Sequence, residues 1–344
     1  MARQDGQEAA ELFDVKDWVP GEPRIERSIT LQFIGDWGTA NFHRICSWLC
    51  QEFCDRTGPR SRVGIWNPVY GGIDAMQAVF DGEVDMAIMT PAQALPAALE
   101  GRGIFEGKPM PTLRALAVLP QRDRMVFTLP RALGINSFAE LRERKPALKI
   151  ATGEDNGANL IGYTARRFME AHGIDEATLT SWGGRYIESA RPDLCMHRFR
   201  DGVADAALQE AIMTPWWREA VEKRDAVLLP AEDEALARLE QEQGWRRTEL
   251  AAGFFPGQPD ALPALDFSDF VIVVRDDMPE DVAHLLTWAL VEKRATIERN
   301  YQHIPPDRSP LSYPLDPVAM SKPSLPLHPG ARRYYEEAGI IAKD

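Results

Sequence analysis

The chain has 344 residues, 44% of them hydrophobic, and 39 Lys plus Arg against 52 Asp plus Glu give a net charge of −13. That length exceeds one ordinary core and suits about two domains. No Lys/Arg cluster interrupts the acidic excess, which excludes a nucleic-acid surface, and no apolar run approaches the ~18 residues a membrane span needs, which excludes direct membrane insertion.

The opening "MARQDGQEAAELFDVKDW" has no apolar core behind a basic start, so it is not a secretory signal. The chain as written is expected in the cytoplasm, and in the periplasm if an export signal precedes it. Residues 1–27 form an N-terminal extension. "SITLQFI" (Ser28 to Ile34) predicts a strand, and "GDWGTANF" a turn that opens a helix running to about Asp55. "SRVGIW" predicts a strand, "GGIDAMQAVFDG" a helix, "VDMAIM" a strand, and "PAQALPAALE" a helix begun by Pro91. Such alternation implies a largely parallel sheet with helices on both faces.

"LRALAVLPQRDRMVFTLP" (Leu113 to Pro130) is extended with a polar centre and predicts a crossing between lobes. The pattern then restarts. Asn136 or Ser137 caps a helix, "LKIATG" is a strand, and "NGANLIGYTARRFMEAHGI" is a helix closed by Gly173. The template Asp-Gly-x-x-Asp-x-Ala occurs twice, from Asp81 and from Asp201, and each copy predicts a helix, a Gly turn and a buried strand. A second extended region, about Thr248 to Arg275, carries the chain back, and the helices of "PEDVAHLLTWALVEKRATIERN" rejoin the first lobe. The expected division is 28–120 plus 265–344 for lobe I and 121–264 for lobe II.

Turns that end a strand and start a helix present unpaired N–H groups suited to a carboxylate. Three such turns occur, Trp37 to Phe42, Tyr70 to Ile73 and Asn156 to Leu160, and strand ends at a crevice are where open α/β sheets bind ligands. The candidate ligand-binding residues are therefore Trp37, Thr39, Asn41, Tyr70, Gly71, Gly72, Thr90, Asn156, Gly157 and Asn159. Each also has a local role open to it: Thr39, Asn41 and Thr90 as helix caps, Asn156 and Asn159 as turn formers around Gly157, and Gly71 and Gly72 as carriers of positive φ. Arg122 and Arg124, in the polar centre of the first crossing, are placed either to pair with a carboxylate or to stand solvated.

No catalytic set emerges. Asp36, His43, Glu154, Asp155 and Glu210 are the acid or base candidates, and no spacing among them names a reaction. His43, Cys46, Cys50 and Cys54 share one helical face, but thiols four apart on a helix lack the turn of a zinc knuckle and read as buried cysteines. Neither a metal nor a cofactor is expected.

The segments "IGDWGTANFHRIC", "YGGIDAMQAVFDGEVDMAIMTPAQA", "PTLRALAVL", "SFAELRERKPALKIATGEDNGANLIGYTARRFMEAHGI" and "LPLHPGARRYYEEAGI", in this order, resemble solute-binding proteins of TAXI-type TRAP transporters. The resemblance covers about Ser28 to Ile341. It implies an α/β, two-lobed type II periplasmic-binding-protein-like fold, each lobe a mixed, mainly parallel sheet flanked by helices, with two hinge crossings. It further implies a small organic-acid ligand and a TRAP membrane permease as partner. Aromatic surface from Trp37, Trp66 and Tyr70 suits a flatter ligand than the glutamate such proteins usually capture. A cytoplasmic enzyme or sensor on the same fold, similar to decarboxylases of aromatic acids, is the alternative. His328, before Pro-Gly, is expected to set the approach to the last helix.

Overall fold

The repeated Asp-Gly template does the same mechanical work in both halves of the chain. The helix Ile73–Phe80 ends at Asp81, whose N–H donates to Gln77 O (2.8 Å), and Gly82 reverses the chain at φ +76°. The helix Pro192–Arg200 ends at Asp201 with the matching bond to His197 O (2.9 Å), and Gly202 takes φ +75°. Only glycine adopts that conformation without cost, which explains its place in the template. The second aspartate then pins the next strand to its neighbour. Asp85 accepts from Gln32 N (2.7 Å) and Asp205 from Lys149 N (2.8 Å), while the peptide N–H groups of Asp85 and Asp205 bond back to Gln32 O and Lys149 O.

The computed structural model describes residues 20–35, 41–67, 72–211, 215–306 and 309–343. Its strands are β1 (Thr30–Ile34), β2 (Arg62–Trp66), β3 (Met86–Met89), β4 (Leu113–Leu119), β5 (Arg124–Pro130), β6 (Lys149–Gly153), β7 (Arg185–Ser189), β8 (Ala206–Glu210), β9 (Ala226–Leu229), β10 (Arg247–Leu250), β11 (Leu262–Asp266) and β12 (Phe270–Arg275). They form two sheets, in the order β2-β1-β3-β12-β4 and β10-β11-β5-β8-β6-β7, with β9 also paired to β5.

The two sheets share a plan. Strands β2-β1-β3 and β7-β6-β8 are parallel, and each set is followed by one antiparallel strand, β12 or β5. In both cases that strand has just arrived from the other sheet. The chain leaves the first sheet through residues 120–123 and returns through 267–269. Each sheet is mixed, as expected, because a strand entering from the opposite lobe runs against those that started within it. "PAQALPAALE" also differs from expectation: Pro91 precedes one 3₁₀ turn, Ala92–Ala94, and the α-helix is Leu95–Glu100 with Pro96 in its first turn. Strands β7, β10 and β11 and the helices Glu176–Ser181 and Asp233–Gln243 were not foreseen in the sequence.

Both sheets are buried on both faces, as parallel sheets flanked by helices must be. Phe33, Leu49, Ile272 and Leu286 fill one side of the first sheet, and Ile73, Met76, Met89 and Val273 the other. Phe127, Ile150, Phe168 and Leu208 lie on one side of the second, and Val126, Phe199 and Trp217 on the other. Ser137 is the cap of the helix Phe138–Arg144, its hydroxyl accepting from Glu140 N (3.1 Å). His328 caps the last helix, Pro329–Glu337, through Nδ1, which accepts from Gly330 N (3.1 Å), and its own N–H bonds to Ala115 O of β4 (2.9 Å). That final helix packs with Glu280–Glu292 on the first sheet.

Candidate functional site

The turn that follows β2 meets the turn that follows β6 across the space between the lobes. Trp37, Thr39, Tyr70 and Gly71, and the acid candidate Asp36, lie outside the described residues. Asn41 opens the helix Asn41–Asp55, and its Oδ1 accepts from the hydroxyl of buried Tyr301 (3.2 Å). Trp66 stands 59% exposed at the end of edge strand β2, with its indole N–H donated to Gln32 Oε1 (2.7 Å).

Two of the three predicted turns meet. Gly72 forms a backbone bridge with Asn159, and Ile73 N donates to Ala158 O (3.3 Å), so the helix starts of the two lobes touch. Gly72 takes φ +99°, and a Cβ there would meet Met89 Cε at 3.2 Å, so positive φ accounts for this glycine. Asn159 caps its own helix, Leu160–Ala171, by accepting from Ile161 N (2.9 Å) and Gly162 N (3.4 Å). Asn156 accepts from Ala158 N (3.0 Å) and is exposed with Gly157 on the rim. Leu160, the first residue of its helix, is 1% exposed and packs among Ile34, Ile73, Met76 and Met89 of the first lobe. The contact therefore includes an apolar plug beside the backbone bridge.

Behind this junction the two crossings run side by side. Phe267 N donates to Asp123 O (3.0 Å), Asp269 N to Gln121 O (3.3 Å), and Gln121 N to the Asp269 carboxylate (3.3 Å). Gln121 Nε2 reaches Thr90 Oγ1 (3.3 Å) and Phe267 O (3.2 Å), which ties the end of β3 to both crossings. Gln93 of the first lobe binds the second through Asp266 O and through Arg246 N (2.6 Å). A cavity of about 800 Å³ lies beside the crossings, lined by Gln121, Asp123, Arg246, Asp266, Asp269 and Tyr313 among others.

The titratable groups here are far from their ordinary state. Asp123, 3% exposed, lies two residues before Met125, which pairs with Glu210 at the end of β8, 6% exposed. Burial pushes Asp123 well above the usual carboxylate range, with the charge of Glu210 adding to the shift, and burial lifts Glu210 to about 7. Burial likewise raises Asp269 to about 6. Arg124 is not available to a ligand: its guanidinium donates to Glu249 O (2.7 Å) and Arg122 O and lies over the Phe254 ring, while Arg122 is exposed. Gln121 Oε1 and Thr152 Oγ1 are buried without a hydrogen-bond partner among the described residues.

The remaining candidates do not join this group. His43 Nδ1 contacts Asn67 Oδ1 (3.2 Å), Glu154 accepts from Asn156 Nδ2 (3.0 Å), and Asp155 N donates to Glu188 (3.4 Å). Cys46 is buried with its thiol on Ile34 O (3.6 Å), Cys50 and Cys54 are half-buried, and no His, Cys, Asp or Glu cluster among the described residues is placed to hold a metal. No helix among them is long and apolar enough to cross a membrane. Sequence reasoning singled out Glu210 and missed Asp123, Gln121 and Leu160. A polar run inside an extended segment, "PQRDR", was the available signal for the first two.

A structure of PhnD1 from Prochlorococcus marinus in complex with methylphosphonate matches with a TM-score of 0.52 at 12% identity, over 92% of this chain and 100% of that one. A second, described as a periplasmic transporter, matches with a TM-score of 0.50 at 10% identity, over 94% of this chain and 95% of that one. At such identities the likeness establishes the fold, which is two-lobed and periplasmic-binding-protein-like. The sequence pattern of the NMT1-like family matches residues 66–339, from the end of β2 to beyond the last helix, and the protein therefore belongs to the NMT1-like family.

Proposed function

We propose that the protein is a solute-binding receptor that captures a small carboxylate-bearing ligand between its lobes and delivers it to a membrane permease of the TRAP type. The observation that carries this reading is the junction of the predicted turns, Gly72 with Asn159 and Ile73 with Ala158, in front of two crossings that alone connect the sheets in sequence. Lobes joined in that way close as units, and a ligand favours closure through contacts available only there. The carboxylate is supported by helix N-termini at Asn41, Ile73 and Leu160 following strand ends of the cleft, and by the TAXI-like segments. The candidate contacts are Trp37, Thr39, Asn41, Tyr70, Gly71, Gly72, Thr90, Asn156, Gly157 and Asn159, with lobe boundaries near 120 and 265. A receptor of this kind works in the periplasm.

The test is mass spectrometry of small molecules that co-purify with the protein, followed by calorimetry with the compound recovered. A bound organic acid, captured and left unchanged, is the expected result. Glu210, held near neutrality, would serve an enzyme on the same fold as acid or base, and conversion of the captured compound by pure protein would establish that alternative.

A further inference from the structure

Strand β2 ends the first sheet: it pairs with β1 and, among the described residues, with no strand on its other side. Arg62 N donates to Ile29 O (2.9 Å) and Trp66 O accepts from Gly35 N (2.9 Å), so Arg62, Gly64 and Trp66 turn their peptide groups towards β1. Peptide groups alternate along a strand, and those of Val63 and Ile65 therefore point away from the sheet, where no hydrogen bond meets them among the described residues. The side chains of Val63 and Ile65 pack against the first-lobe core yet stay only partly buried. On the other face Trp66 is 59% exposed, the most exposed of the large hydrophobic residues described, and its indole is held by Gln32, whose side chain also lies over Gly64.

Edges of this kind are usually guarded by a proline, a lysine or a bulge, and β2 has none of them within its unbroken register with β1. Its charge is also unlike that of the rest of the molecule. No Asp or Glu occurs between Asp55 and Asp74, in a chain whose net charge is −13, so copies that repel one another elsewhere meet no acidic side chain on this strand.

We propose that β2 is a self-association edge, at which two copies of the chain pair antiparallel about a two-fold axis through Gly64 and join their five-stranded sheets into one. In that register Val63 stands opposite Ile65 of the second copy, and the two exchange both N–H to C=O bonds, so every outward peptide group of the strand is used. Val63 and Ile65 of the two copies also meet side by side on the core face, which completes their burial. On the exposed face Arg62 comes opposite Trp66 of the second copy, at a cross-strand spacing of about 5 Å that suits a cation over the indole. The strand is thus complementary to its own reverse, which is what an isologous contact requires. Pairing there occupies the end of the sheet opposite β4, the strand that runs into the first crossing, and it does not depend on what the cleft captures.

The experiment is sedimentation equilibrium of the full chain from about 1 to 200 µM, a range that spans the affinities of a small contact, with residue-resolved hydrogen exchange on the same samples. The expected species at the upper end has twice the 38.6 kDa of the chain. With it the amides of Val63 and Ile65 should be about tenfold more protected than in a monomeric sample once nine-tenths of the chain is paired, while Gly64, already bonded to β1, is unchanged. Ile65→Pro removes an outward N–H and no bond to β1, a change an edge strand accommodates, and should leave a monomer with the parent's far-UV circular dichroism. Should that variant not fold, Arg62→Glu combined with Trp66→Glu, both at exposed positions, sets carboxylates opposite one another across the axis and should likewise give a monomer. A parent that stays monomeric, a dimer whose Val63 and Ile65 amides exchange freely, or a folded variant that dimerises like the parent overturns the proposal.

Discussion

Replacing Leu160 by alanine should loosen the lobes without damaging either one. Its side chain starts a helix of the second lobe and is 1% exposed among Ile34, Ile73, Met76 and Met89 of the first. Large-to-small changes at buried leucines cost about 2–5 kcal/mol, and the part of that loss falling on the interlobe contact is taken as about 2–3 kcal/mol. That corresponds to a closed-to-open ratio reduced roughly 30- to 150-fold. The reporter is the Ile73 amide, whose hydrogen bond to Ala158 O exists only while the lobes touch. Native-state hydrogen exchange should show its protection falling by that factor, while amides within β6 and β8 keep theirs relative to global stability. If Ile73 protection is unchanged while the whole protein loses stability, Leu160 is an ordinary core residue and the plug does not exist.

Gly72→Ala should cost about 1–2 kcal/mol from backbone strain alone, because φ is +99° and the added Cβ would press on Met89. Urea unfolding should show a lower midpoint at an unchanged slope, and a variant as stable as the parent would contradict the turn geometry. His172 donates from Nδ1 to Phe168 O (2.7 Å) and accepts at Nε2 from Glu232 N (3.0 Å), which fixes a neutral ring, and burial lowers its pKa to about 4. The depressed value means its contribution is complete above the ordinary histidine range and is lost as pH falls through about 4; an NMR titration midpoint near that of free histidine would refute this. Cys46 and Cys195 are buried with their thiols pushed up, Cys195 to about 11, so under native conditions a thiol reagent should modify Cys50 and Cys54 and spare those two. Peptide mapping that finds Cys195 labelled as fast as Cys54 would show the helix Pro192–Arg200 packed differently.

Much of the architecture was legible in the sequence because it depends on neighbours a few residues apart. The two Asp-Gly templates, the Ser137 cap and the His328 cap each act within one turn of chain, so residue type and spacing determine them. Alternating strands and helices likewise follow from local periodicity. The cleft was legible only as a set of turns. Which turns meet, Gly72 with Asn159, depends on how two separately folded lobes are set against each other. Leu160 reads as an ordinary apolar helix residue, and only the tertiary arrangement makes it part of the other lobe's core. Arg124 reads equally as a carboxylate partner or a solvated charge, yet folding spends its guanidinium on backbone carbonyls that no sequence pattern brings near. Asp123 and Glu210 are unremarkable acids in the chain. Their raised pKa values arise because β5 enters the second sheet antiparallel to β8, which brings the crossing and the strand end together away from water, where a charge costs most.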